Sequence, residues 1–443
     1  MKFDKWTVAL AAAGVVSFVS AANAEEKPSS SPVMTALSAT TLSGYVDTSA
    51  QWNPGTGNQN LPAYKFGGAS KADGFNLDVV QVRIEKPLDE SEWAAGYRVD
   101  LWAGPDANSL GTQSLFGNNS SAQTGDFAIR QAYVALRTPV LNGIDWKIGV
   151  FDSIIGYESV ESPDNPNYTR SYGHTLEPQT HTGVLASYRF CEAFSASAGV
   201  ADTTSAAINS RAQNGSSGVT GGPLGSLWNQ AFANAGADFT GSDKQAESHK
   251  TYMGSVALTA PSTMGFLAGS TVYAGVVNGF NNSAAGSGVG DDQTSYYVGA
   301  TMATPVTGLR FGAAFDYLDL QRINETAPSG ATATANANAW ATSLYASYQA
   351  TEKLSFHARV EYTDAKLENA TVTGANDTIN LSSKAEIVST TATIQYDLWK
   401  NVLSRVEFRW DHSQDGNMFG GSQIGAPDRE NAFMLAANVI YKF

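Results

Sequence analysis

Leu354-Ser355-Phe356-His357-Ala358-Arg359-Val360-Glu361-Tyr362-Thr363 decides the fold, because its two faces suit two different solvents. Successive side chains of an extended strand point to opposite sides. Leu354, Phe356, Ala358, Val360 and Tyr362 therefore share one face, while Ser355, His357, Arg359, Glu361 and Thr363 share the other. The pattern recurs in 401–413, where Val406, Phe408 and Trp410 oppose Arg405, Glu407, Arg409 and Asp411. It recurs again in 429–443, where Phe433, Leu435, Ala437, Val439, Tyr441 and Phe443 oppose Asn438 and Lys442. A one-residue slip would exchange the faces. Each Arg or Lys carried to a lipid midplane would cost roughly 2–4 kcal/mol. The charged face must meet water, and the apolar face is left for lipid.

Working outward, the chain divides into segments of this kind near 41–52, 74–87, 92–103, 126–138, 143–153, 179–190, 193–203, 247–260, 265–279, 293–304, 308–320, 338–350, 353–366, 383–398, 401–413 and 429–443. Each is long enough for a tilted strand to cross hydrocarbon, about 9–11 residues. The connections alternate. Pro87–Ser91, Pro139–Asn142, Cys191–Glu192, Pro261–Met264, Pro305–Thr307, Thr351–Glu352 and Trp399–Lys400 are short. Those at 53–73, 104–125, 154–178, 204–246, 280–292, 321–337, 367–382 and 414–428 are long. Short turns on one side and long loops on the other predict an all-β, antiparallel, up-and-down transmembrane barrel of about sixteen strands, with both termini periplasmic. A soluble barrel would turn the apolar face inward, but sixteen strands enclose an interior too wide for side chains to fill. Trp52, Trp93, Trp102, Trp340, Trp399 and Trp410 fall near segment ends, as an interfacial girdle requires.

The ends of the chain agree with export. Lys2 and Lys5 precede an apolar stretch from Trp6 to Ser20, and Ala22-Asn23-Ala24 is a small-x-small cleavage site, so 1–24 reads as a signal peptide. Residues 25–40 read as a periplasmic lead-in and 41–443 as the barrel. The 27 basic and 41 acidic residues fall to 25 and 40 once Lys2, Lys5 and Asp4 are set aside, a net charge of −15. That balance argues against nucleic acid as a partner, since phosphate binding needs clustered Lys and Arg. Cys191 is the one cysteine and can form no internal disulfide. The last strand ends in Tyr441 and Phe443, which resembles the assembly signal of outer-membrane proteins.

Phe151-Asp152, Ile155-Gly156-Tyr157-Glu158, Asn167-Tyr168-Thr169-Arg170-Ser171-Tyr172, and Glu177-Pro178 leading to His181-Thr182-Gly183 resemble the OmpL-like β-barrel porin family. The resemblance implies an outer-membrane barrel with channel activity, and names no substrate. General porins fold the third loop into the lumen against basic wall residues. By that analogy Glu158, Glu161, Asp164, Arg170, His174 and Glu177 form a constriction, facing Arg83, Arg98, Arg130, Arg359, Arg405 and Arg409 on the wall. Alternation puts five of these arginines in the lumen and leaves the face of Arg130 open. A transverse field between the two sets would orient dipolar solutes, and rings of fixed charge would set ion preference. The excess acid favours cations weakly. The competing expectation is that the charges pair across neighbouring strands and stiffen the wall. The same analogy implies a homotrimer, which no residue pattern carries.

Signals of catalysis are poor. His174, His181, His249, His357 and His412 have no metal-ligand spacing, and neither a GxSxG elbow nor a P-loop occurs. Gly286, Gly288 and Gly290 lie between strands with no helix after them, so they read as an external loop, closed by the solvated Asp291 and Asp292. The segment 204–246, rich in Gly, Ala, Asn and Ser, also reads as a surface loop. The expected protein is no enzyme and needs no cofactor. It sits in outer-membrane lipid and passes small hydrophilic solutes and ions. A solute-specific channel, for sugars along Tyr and Trp, and a plugged barrel with adhesive loops are the alternatives.

Overall fold

The computed structural model describes residues 39–55, 57, 59–112, 126–209, 249–280, 292–326, 332–373, 378–423 and 425–443. The expected signal peptide, 1–24, and nearly all of the expected lead-in, 25–40, lie outside them. So do most of the 204–246 loop and Gly286, Gly288, Gly290 and Asp291.

Sixteen strands form one closed antiparallel barrel in which every strand pairs with its sequence neighbours. They are β1 (Thr41–Trp52), β2 (Gly74–Lys86), β3 (Ala94–Ala103), β4 (Phe127–Thr138), β5 (Ile144–Asp152), β6 (Thr180–Arg189), β7 (Phe194–Ala201) and β8 (Thr251–Thr259). Then come β9 (Thr271–Phe280), β10 (Asp292–Ala303), β11 (Leu309–Thr326), β12 (Thr332–Gln349), β13 (Leu354–Thr373), β14 (Thr378–Trp399), β15 (Val402–Ser413) and β16 (Asn431–Lys442). The first strand closes on the last, with Tyr45 opposite Lys442 and Trp52 opposite Leu435. The carboxyl-terminal Phe443 exchanges two main-chain hydrogen bonds with Gly44, both 3.0 Å. The seam therefore has no free edge to recruit another chain.

The faces fall as alternation requires. Leu344, Val360, Val406, Phe408, Val439 and Tyr441 are exposed on the outside, whereas Arg359, Glu361, Arg405, Glu407, Arg409 and Asp411 are buried inside. Arg130, whose face was open, is also inside and buried. Rings gather at the loop end of the belt. Phe315 and Trp340 lie 6.2 Å apart, Trp340 and Tyr362 5.2 Å, and Tyr296 and Tyr317 6.1 Å. Trp52 and Trp93 are exposed, as is Trp399 at the turn end, where it borders a lumenal cavity rather than joining the belt.

Three expectations need correcting. Trp102 does not join the girdle. It is buried inside, its indole N–H donating to Gln81 at 2.6 Å, because the lumen there is filled by loops rather than water. β9 starts at Thr271 instead of 265, since Ser262–Leu267 form a 3-10 turn and lengthen that connection. Finally, 321–337 and 367–382 are mostly strand. β11 and β12 pair out to Thr326↔Thr332, and β13 and β14 to Thr373↔Thr378. A lipid-facing apolar row marks a strand only where there is lipid. Beyond it the main-chain ladder continues in Thr-, Ala- and Asn-rich sequence that carries no such mark.

Candidate functional site

The connection 153–179, here L3, folds inward and crosses the bore. Its first turn rests on an apolar wall. Phe151, Ile154 and Ile155 pack against Met253, Tyr273, Val277, Tyr297 and Ala314, with Tyr157 alongside. The Tyr157 ring stacks on Tyr345 at 4.1 Å. Two glycines make this possible. Gly156 has φ 130° and lies where a Cβ would strike the Glu177 carboxylate, and a Cβ on Gly312 would collide with the Tyr157 hydroxyl.

Two carboxylates then anchor L3 on opposite sides. Glu158 accepts from Arg359 at 2.9 Å, from the Tyr345 hydroxyl at 3.1 Å and from the Ser171 N–H at 2.9 Å. Glu161 is paired with Arg83, with Arg98 at 3.0 Å and with Arg130 at 3.4 Å. The same three arginines converge on Asp100, at 2.8, 2.7 and 3.1 Å. Burial raises the Glu161 carboxyl, but the guanidinium groups of Arg130, Arg83 and Arg98 outweigh it and hold the group below its usual range.

The returning limb is held through its main chain. Arg405 donates to the carbonyls of Asn167 and Ser162, both at 2.8 Å. Arg359 donates to the Thr169 carbonyl and Arg409 to the Arg170 carbonyl, each at 2.7 Å. In the reverse sense Glu407 accepts from the N–H groups of Tyr168 and Thr169 at 2.6 and 2.9 Å. Glu361 accepts from the Tyr172 N–H at 2.9 Å, and Asp411 from the Tyr172 hydroxyl at 2.9 Å. The limb ends in a one-turn helix, α1 (Tyr172–Leu176), whose Ser171 side chain accepts from the His174 N–H.

The 53–73 connection covers L3 from the loop end. Tyr64 lies over the Arg409 guanidinium at 4.2 Å, and Phe66 lies 5.5 Å from that of Arg170. Lys71 bridges Asp78 and Asp106 at 2.8 and 2.5 Å. Cation–π contacts in such a dry setting are worth up to about 2 kcal/mol.

The candidate residues thus come together, but not across a gap. Glu158 touches Arg359 and Glu161 touches Arg83, Arg98 and Arg130, whereas Arg405 and Arg409 meet L3 through its carbonyls. The Arg359 and Arg409 side chains are 0% exposed. A field between separated rows is replaced by contact pairs, because every buried guanidinium needs several acceptors and L3 supplies them. Arg170 turns back to the Val160 carbonyl at 2.9 Å instead of facing the wall. Asp164 reaches only Lys442, at 3.9 Å. His174 is not a charged member, since burial, then Arg170, Lys65 and Arg359, drives its imidazole well below its ordinary value. Glu177, 3.4 Å from the His174 ring, is pushed well up by burial and then by Asp316 and Glu158.

Asp100, Glu361, Glu407 and Asp411 were not singled out from sequence as site residues. Each lies two positions from an arginine on the same inward face, which is the signal that could have found them. Nothing in the sequence marks Lys71 or Tyr64.

A closed sixteen-stranded barrel, apolar outside and charged inside, with one loop drawn across its bore, is an outer-membrane β-barrel of the porin kind. Residues 39–443 match the family described as "Putative beta-barrel porin-2, OmpL-like", and the chain belongs to that family and to the bacterial outer membrane. Its short turns and both described ends of the barrel are therefore periplasmic. Among solved structures it is similar to the anion-selective porin from Comamonas acidovorans, at 12% identity and TM-score 0.51 over 91% of this chain and 99% of that one. It is also similar to the outer membrane channel DcaP of Acinetobacter baumannii, at 11% and 0.51 over 91% and 97%. Salmonella typhi OmpF in complex with daunomycin gives 15% and 0.50 over 91% and 97%. At these identities the likeness is one of fold. No curated protein matches the chain by sequence.

Proposed function

We propose that the protein is a passive porin for small hydrophilic solutes and ions, with L3 as its constriction. The observation that carries this reading is the clamp itself. Four L3 carbonyls accept from three buried wall arginines, so the loop is held at a fixed depth inside a polar lumen. Such an arrangement sets a bore; it does not activate a nucleophile. Family membership supports the same reading.

Ion preference belongs to the proposal too. At physiological salt the Debye length is about 8 Å, so only charges at a narrow passage act on a permeant ion. Arg83 and Arg98 are partly exposed on the periplasmic side of L3, beside Glu161. Glu158, Glu161 and Asp164 offset these and the other wall arginines, and the acidic excess tilts the bore weakly toward cations. Planar-bilayer recordings in a KCl gradient test both parts. Discrete conductance steps are expected, with a small cation-selective reversal potential. The Glu158→Gln, Glu161→Gln double variant should shift that potential toward anions, because it removes two of the carboxylates that offset the wall guanidinium groups; an unchanged potential removes both residues from the filter. Assembly as a homotrimer goes with this reading and is checked by the mass of the detergent-extracted particle.

The tightness of the clamp favours one second reading, a plugged barrel that displays its loops. A folded barrel giving no conductance steps would establish it and sink the porin.

A further inference from the structure

Beneath L3, toward the periplasm, lies a cavity of about 360 Å³ between the L3 tip and the turn ends of β12 to β16. Small-molecule sites run from roughly 300 to 1,000 Å³. Its lining differs from the clamp above it. Trp399, Gln349, Gln395 and Asn401 face it together with Asp164, Asp397 and Lys442, and the prolines of the L3 tip form its roof. We propose that this cavity binds a neutral polyhydroxylated solute of the mono- or disaccharide class. The inference rests on the porin reading, and it names a solute class for which the vestibule is built.

Three features select that chemistry. A side-chain amide both donates and accepts, as a hydroxyl does, so amides match vicinal hydroxyls better than either charge sign would. Gln349 spends its N–H on the Thr351 carbonyl at 2.7 Å, which leaves its oxygen to accept. Gln395 makes only a 3.5 Å contact with Asp397, long enough for a hydroxyl to replace it. The second feature is the indole. Trp399 is 68% exposed although it lines a cavity, so its face is available to a ligand. An aromatic face is electronegative and attracts the slightly positive C–H edge of a sugar ring. Third, the local charge recruits no ion strongly. Lys442 lies 3.9 Å from Asp164 and 3.4 Å from the Pro163 carbonyl, so its charge is partly offset by a neighbouring carboxylate. Asp397, a second carboxylate in the lining, opposes an anionic solute.

The test uses the mature barrel in detergent and maltose as the probe. Isothermal titration should show saturable binding with a millimolar Kd, and glutamate should show none. Trp399→Ala and Gln395→Ala should each weaken binding at least ten-fold. Circular dichroism and heat-dependent mobility on gels confirm the fold, and Trp399→Phe, which keeps a ring, should retain most of the affinity. Absence of saturable heat with the wild type overturns the proposal, as does binding that neither Trp399→Ala nor Gln395→Ala alters. Conductance in KCl alone tests the porin reading separately: a conducting barrel that ignores maltose sinks only the site, and a silent barrel that binds maltose sinks only the porin.

Discussion

The two halves of the barrel wall hold the same loop by different forces. From β13 and β15, and again across β2 to β4, guanidinium and carboxylate groups grip L3 by charge and by its main chain. From β8 to β12 the wall meets L3 with rings and methyl groups, Tyr273, Val277, Tyr297, Ala314 and Tyr345. The charged half is specific to atoms, since each arginine needs particular carbonyls and carboxylates. The aromatic half is specific to shape. A buried charge left alone is costly, whereas a trimmed ring leaves a void whose cost depends on relaxation. The loop is thus pinned on one side and cushioned on the other.

That contrast predicts its largest effect at Arg359. Arg359→Met would take the nearest cation from both Glu361 and Glu158 and free the Thr169 carbonyl, while Arg409 still holds that of Arg170. Breaking a buried pair typically costs roughly 3–5 kcal/mol. Urea unfolding of the barrel in lipid vesicles should show a loss of that size, and single-channel conductance should rise as the returning limb loosens. Unchanged unfolding and unchanged conductance would mean that the clamp is not what holds the loop.

Tyr345→Phe probes the cushion with a smaller expected effect. The stack on Tyr157 survives, and only the 3.1 Å bond to Glu158 is lost. Hydrogen bonds to charged groups contribute about 1.5–3 kcal/mol. Because Glu158 also serves Arg359, the two substitutions should not add. A double-mutant cycle is expected to give a coupling of about 0.5–3 kcal/mol; simple additivity would show that the halves act independently.

The contrast also explains which parts of the molecule were legible beforehand. β13, β15 and β16 read cleanly because their inward face is charged and their outward face greasy. β8 and β9 read weakly because Met253, Ala257, Tyr273 and Val277 point inward, yet are as apolar as their lipid-facing neighbours. Period-two alternation sees polarity, and L3 had made that part of the lumen dry. The inward fold of L3 was expected by analogy with general porins, and its acid residues from their positions on that loop. The partners were not legible, since Glu161 meets Arg83, Arg98 and Arg130 only through barrel closure and a loop path that no local pattern encodes. Trp102 misled for the same reason: an aromatic near a strand end marks an interface only if nothing folds over it.

The smallest expected effect concerns pH at the junction of the two halves, where Glu177 closes L3. Facing it are Asp316 from β11, Glu158 and Tyr157 from L3 itself, and His174 from α1. No cation pairs with it among these, and its carboxyl is raised well above 4.5. A raised carboxyl binds its proton more tightly in the folded state. Its contribution is therefore intact below the unfolded value and is lost as pH climbs from there through the folded one. His174 has the opposite sign: with its imidazole depressed, stability is lost as pH falls below about 6.5. Glu177→Gln deletes the first slope and leaves the second. Melting temperatures of the two proteins should coincide near pH 4 and diverge in favour of the variant as pH rises toward 8. A constant difference across that range would mean that Glu177 is already ionised in the folded barrel, and that the loop tolerates a buried negative charge where the cushion meets the clamp.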